Sequence, residues 1–218
     1  MRRKSFDVLV SAGGALLAIV LVVAGALALW GYSYANSTVH NQLSAQKIEF
    51  PTKAELAMAK NPAPGGFSEI TPAMVPYLEP YAGQWMTTGA QAEAYANHFI
   101  AIHLQEMGQG KTYSELSAAA MALPAGSAAY KSAEATVQTV FQGTSLRGML
   151  LNAYGWWEVG QVALWGGIVA FILAGATLVL SGFGLWHSRR VNAEDEIPSL
   201  RRVGVALPSE TSQNLVVN

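Results

Sequence analysis

The run HFIAIHLQEMGQGKTYSEL, residues 98–116, gathers the side chains of this chain best suited to chemistry: His98, His103, Glu106 and a glycine-flanked Lys111. Two histidines and a carboxylate suggest a metal site. On one helix, however, His98 and His103 are separated by about 500° of rotation and point some 140° apart. His103 and Glu106 do share a face, but in the order His-x-x-Glu, the reverse of the Glu-x-x-His order of carboxylate-bridged bundles. The remaining histidines are His40 and His187, far off in sequence. No metal or other cofactor is expected, and with no cysteine in the chain thiolate ligands, disulfides and thiol catalysis are excluded together.

Gly110-Lys111-Thr112 has the end of a phosphate loop without its earlier glycine or a preceding strand. An architectural reading accounts for every residue: Gly108 ends a helix in a left-handed conformation, Gly110 turns the chain, and Thr112 caps the next helix. His103 then becomes a hydrogen-bonding residue half-buried against Thr112-Tyr113. No catalytic residue is assigned. Arg147, the one base near the start of the second apolar stretch, is expected to satisfy Glu106, Glu158 or helix-end carbonyls, or else a lipid headgroup or a partner's acid. His103, Glu106, Tyr113 and Arg147 are the candidate ligand- or partner-contact residues.

The elements that must position them are set by the membrane. The chain is 51% hydrophobic and 12% charged. Residues 8–30 and 159–186 carry no formal charge, and the first measures about 34 Å as a helix, enough for a hydrocarbon layer of roughly 30 Å. The first is too long for a secretory signal, whose apolar region is about 7–15 residues. Arg2, Arg3 and Lys4 precede one stretch and Arg189 and Arg190 follow the other, so both termini (1–7 and 187–218) are expected in the cytoplasm, with residues 31–158 outside the plasma membrane. Trp30, Tyr32 and Tyr34, with Tyr154, Trp156 and Trp157, are expected to mark one outer interface.

Neither stretch contains an ionisable side chain, which argues against a transporter acting alone. Both carry small residues at heptad spacing: Ser11, Gly14, Ala18 and Gly25 in the first, Gly167, Ala170, Ala174 and Ser181 in the second. Such seams let backbones approach closely. The two spans are expected to pack on each other, or one seam to dock another subunit.

The fold class expected is all-α, two transmembrane helices flanking a helical extracytoplasmic domain. Thr52/Glu55, Thr88/Gln91 and Thr112/Glu115 form three capping-box patterns. Helices are predicted near 34–47, 53–60, 89–107, 113–122 and 128–142, with a last one from Ser145 running into the second span. Ala92, Tyr95, Phe99 and Ile102 form the buried stripe of the third. The segment 61–81, rich in Pro and Gly, reads as an irregular connection, and the tail after Trp186 as mostly disordered, with Arg201 and Arg202 solvated. The mild acidity and the lack of a basic stripe exclude nucleic acid as a partner.

QLSAQKIEFP, HFIAIHLQEMGQGKTYSELS and GTSLRGMLLNAYGWW, framed by two spans, resemble an uncharacterised family of actinobacterial two-span membrane proteins. Some members carry the label aromatic ring-opening dioxygenase, which the histidine geometry here does not support. The resemblance implies an envelope protein and makes Gln46, Phe50, Pro51, His103, Gly110, Thr112, Tyr113, Leu146, Arg147 and Gly148 candidates for a shared structural or contact surface. The expected role is non-enzymatic, an accessory to an envelope component or membrane complex, with lipid and a membrane-protein partner or a second copy as contacts. The alternative is an extracytoplasmic small-molecule binder or sensor with a pocket near His103, Tyr113 and Arg147.

Overall fold

The computed structural model describes residues 3–61 and 69–190, with side chains from residue 5. Arg2, the heart of the Pro- and Gly-rich run (62–68), Arg201, Arg202 and the rest of the tail from 191 lie outside the described residues. Among the described residues the fold is all-helical: α1 (Arg3–Gln46), α2 (Lys53–Lys60), α3 (Val75–Leu78), α4 (Gly89–Tyr95), α5 (Ala101–Met107), α6 (Tyr113–Met121) and α7 (Ala128–Ser188). α1 and α7 are each long and apolar enough to cross a membrane. The helix expected to begin near Ser145 instead starts at Ala128 and absorbs the one expected at 128–142. Likewise the helix expected at 34–47 is the C-terminal part of α1, which ends at Gln46.

The described residues divide into two compact units, those of 3–22 with 171–190 and those of 23–170. In the described part of the first, small residues of α1 and α7 face each other in antiparallel order. Ala18 is 0% and Ala174 2% exposed, and the hydroxyl of Ser181 lies over Gly14 as that of Ser11 lies over Gly184. Leu9, Leu17, Ile172 and Leu180 face outward.

In the second unit the same two helices continue in contact. A Cβ on Gly167 would meet Gly25 O at 3.1 Å and Leu29 at 3.2 Å, and one on Gly160 would meet Ala35 at 3.4 Å. That register sets Trp30 level with Trp165, both exposed, and puts Trp156 about 13 Å further along α7. The aromatic clusters at 30–34 and 154–157 are therefore not level. Trp157 is partly buried in the unit, against Gly89.

α1 ends because Lys47 takes a left-handed φ of 53°. Beyond it a short antiparallel pairing forms, Met86 N–H donating to Ile48 O at 2.8 Å and Phe50 N–H to Gln84 O at 2.9 Å. Alternation along it buries Phe50 and Met86 and leaves Glu49 and Trp85 exposed. Phe50 sits between the rings of Tyr81 (5.3 Å) and Tyr95 (5.6 Å), in a core with Leu56, Met74, Leu78, Met86 and Leu150. The connection expected to be irregular contributes α3 and a 3-10 turn at Glu79–Tyr81, the latter tied to α2 by the Lys60–Glu79 ion pair at 2.8 Å.

All three capping boxes are made, at Thr52, Thr88 and Thr112. The carboxyls of Glu55 and Glu115 are held below their ordinary range, first by the cap residue's backbone N–H and then by its hydroxyl. A carboxyl lowered in the folded state contributes stability above its unfolded value and loses it as the pH falls through the folded one. Thermal unfolding is therefore expected to shift downward more steeply between about pH 5 and pH 3 in the wild type than in the Glu55→Gln/Glu115→Gln variant. Equal slopes would discount the caps.

Residues 89–107 are not one regular α-helix. Ala96–Ile100 form a π-helical turn, in which the Ala101 N–H bonds to Ala96 O, five residues back. One extra residue is thus accommodated between α4 and α5. Ala92 and Ala96 are fully buried and Gln91, Ala94 and Ile100 nearly so, with Tyr95, Phe99 and Ile102 half-buried beside them. After α5, Gly108 stays right-handed, and the left-handed residues are Gln109 (φ 51°) and Gly110 (φ 77°), contrary to the expectation for Gly108. Glycine is needed at 108 for space, since a Cβ would meet Lys111 O at 2.6 Å and Leu104 O at 3.0 Å.

Candidate functional site

α4, the π turn and α5 run antiparallel to α7, from Gly89 against Trp157 to Leu104 against Gly143. A polar chain follows this seam. Arg147 donates from Nη2 to Asn97 Oδ1 at 2.7 Å, and Asn97 donates from Nδ2 to Glu93 Oε1 at 2.8 Å. Nearby on α7, a hydrogen bond to the Glu158 carboxylate, followed by burial and the charges of Glu158 and Glu93, raises the Tyr154 phenol above its usual value. Arg147 thus finds its partner on the π turn, rather than at Glu106, Glu158 or helix-end carbonyls. Arg147→Gln is expected to cost about 2 kcal/mol, because it removes a charged hydrogen bond at a half-buried seam. Denaturant unfolding of the full chain checks this, and an unchanged midpoint would leave the link without weight.

The other candidate contact residues have separate surroundings. His103 donates from Nδ1 to Phe99 O at 2.8 Å, with its ring against Phe99 at 4.5 Å, rather than resting on Thr112-Tyr113. The acceptor is a carbonyl, so the proton is on Nδ1. His98 stacks flat on Tyr77 at 3.4 Å. Tyr113 meets Phe141 at 5.5 Å, and Glu106 is exposed in the last turn of α5. Among the described residues no group of three His, Cys, Asp or Glu could hold a metal ion.

What the structure does bring together are positions picked out by the resemblance. Gln46, Leu146 and Gly148 line a groove of about 670 Å³ between the C-terminal end of α1 and the N-terminal third of α7, together with Gln42, Leu43, Met149 and Asn152. It has no charged wall, Met149 is 70% exposed, and nothing lies within 4 Å of where a Cβ on Gly148 would stand. Amides at the rim and flexible apolar side chains within it suit a protein surface better than a reaction centre. Sequence reasoning missed Gln42, Met149 and Asn152, although 145, 148, 149 and 152 share one face of a helix at three- and four-residue spacing.

Comparison with family models, with curated proteins and with solved structures finds no match.

Proposed function

We propose that the chain is a two-span protein of the plasma membrane, with both termini in the cytoplasm. Its central helical domain lies outside and acts by non-catalytic contact with another envelope or membrane protein. This is the kind of protein implied by the resemblance to actinobacterial two-span proteins.

The observation that carries this reading is the inverted packing of the two long helices. Only 17% of the most apolar window of α1 and 11% of that of α7 is buried, with small residues inside and Leu, Val, Ile and Trp outside. The core helix of a soluble protein would bury its large apolar side chains, whereas these are left to a lipid solvent. α1 also continues unbroken beyond its apolar stretch to Gln46. The contact role draws on the uncharged groove at Gln46, Leu146 and Gly148.

Reporter fusions and protease accessibility test the placement: a fusion after Ala125 should report the outside and one after Arg190 the cytoplasm. A cytoplasmic centre would overturn it. For the contact, Met149→Glu is expected to lose, by tenfold or more, a protein that co-purifies with the wild type from native membranes, while thermal stability is kept. Undiminished recovery would move the contact away from the groove.

A further inference from the structure

Within the smaller unit, the face of α7 that carries Ala174, Ser181 and Gly184 is closed by α1. A second face carries a hollow of about 380 Å³ lined by Val179, Gly182, Phe183 and Trp186, all of α7, so α1 does not cover it. The hollow exists because residue 182 has no side chain. Nothing lies within 4 Å of where its Cβ would stand, while Val179, Phe183 and Trp186, each more than half exposed, stand around it.

The rim of this hollow is cationic. α7 ends at Ser188, a last turn is closed by the Arg190 N–H on His187 O at 2.9 Å, and the Arg190 guanidinium lies over the Trp186 ring, 4.0 Å from its centroid. Stacking of this kind uses the face of the guanidinium and leaves the N–H donors at its edge for an anion. Among the described residues neither Arg189 nor Arg190 makes an ion pair. Asp7, the one acid among the described residues of this unit, lines a different cavity on the α1 side.

Together the two features select their guest. An apolar guest would leave the guanidinium edge unmatched, and a soluble anion would leave the hollow unfilled. A phosphate joined to a hydrocarbon chain satisfies both, since the planar donor fork of arginine matches phosphate oxygens and a tryptophan ring sits at headgroup level. Gly182 lies about 6 Å and Val179 about 10 Å further into the apolar stretch than Trp186, the direction an acyl chain takes from its headgroup. A choline or ethanolamine group would meet only like charge at Arg189 and Arg190, so the headgroup is anionic overall.

We propose that this end of α7 seats one anionic glycerophospholipid of the adjoining leaflet, its phosphate on the Arg190 guanidinium and an acyl chain along Trp186, Phe183 and the hollow over Gly182. The proposal rests on the membrane-spanning reading and is independent of the partner-contact role.

The test reconstitutes the purified full chain in nanodiscs of equal parts dioleoyl phosphatidylcholine and dioleoyl phosphatidylglycerol, and identifies by native mass spectrometry the lipids that stay bound. Phosphatidylglycerol is expected to be retained over phosphatidylcholine by about fivefold. Arg190→Gln should bring the two lipids near parity. Gly182→Leu, which fills the hollow and leaves every charge in place, should lower the preference by at least half. Both substitutions are at exposed positions and leave the α1–α7 seam in place. A full preference retained in either variant overturns the proposal, and in Gly182→Leu it would mean that surface charge alone holds the lipid. A wild-type chain that enters the bilayer without preference, as would follow if a carboxylate of its own tail held Arg190, overturns the lipid site alone. A chain that does not enter the bilayer overturns the spanning reading and the lipid site with it.

Discussion

Phe50→Ala is expected to cost about 3–5 kcal/mol, a large share of the roughly 5–15 kcal/mol that holds a domain folded. Phe50 is 1% exposed, its ring is held edge-on by Tyr95 and tilted against Tyr81, and its backbone N–H is fixed to Gln84 O. It therefore joins the segment after α1, the turn before α4 and the α4 face in a single contact set. Truncation leaves a cavity that these elements cannot close without giving up the Ile48–Met86 pairing. Phe50→Leu, which keeps most of the volume, should recover more than half of the loss. Denaturant titration of the full chain, with the exposed Trp85 as a neighbouring reporter, measures both. A loss below about 1 kcal/mol for the alanine variant would show that the core is centred elsewhere.

The second large effect is a cross-link. In a cysteine-free chain, Gly14→Cys/Ser181→Cys introduces the only two thiols, and a Cβ at Gly14 would stand 3.7 Å from that of Ser181. The corresponding distance for Ser11→Cys/Gly184→Cys is 3.5 Å. Disulfides have Cβ–Cβ separations of about 3.5–4.5 Å, so both pairs should close on mild oxidation. Joining residues so distant in sequence should stabilise the fold by about 5 kcal/mol in the chain-entropy view. On a non-reducing gel the product should be a fast-migrating monomer. A ladder of dimers would mean that the seam serves a second copy instead.

Much of this organisation can be read from composition and spacing. Two uncharged stretches of spanning length, small residues at heptad positions and three Thr-x-x-Glu/Gln patterns are local signals, and each has a local physical cause: lipid thickness, backbone approach, satisfied N–H groups. What could not be read depends on partners distant in sequence. Asn97 lies 50 residues from Arg147, and nothing near either residue says that they meet. The π turn has no signature of its own; α4 and α5 each look like ordinary helix, and the extra residue is fixed by where Gly89 and Leu104 must land on α7. The short Ile48–Phe50 and Gln84–Met86 pairing is too brief for an alternation pattern to show. Gln109 took the left-handed position expected of a glycine because Gly108 was needed where carbonyls crowd.

The π turn also bears on how this chain tolerates a change in length. Its surplus residue is taken up within Ala96–Ile100, so removing His98 would let α4 and α5 merge into one regular helix with both ends still in place on α7. Removing a residue such as Ala92 would instead swing the rest of the helix by about 100° and turn Leu104 away from its seat on Gly143. The segment thus carries one spare position, which a shortened descendant of this sequence could lose from inside a helical segment cheaply.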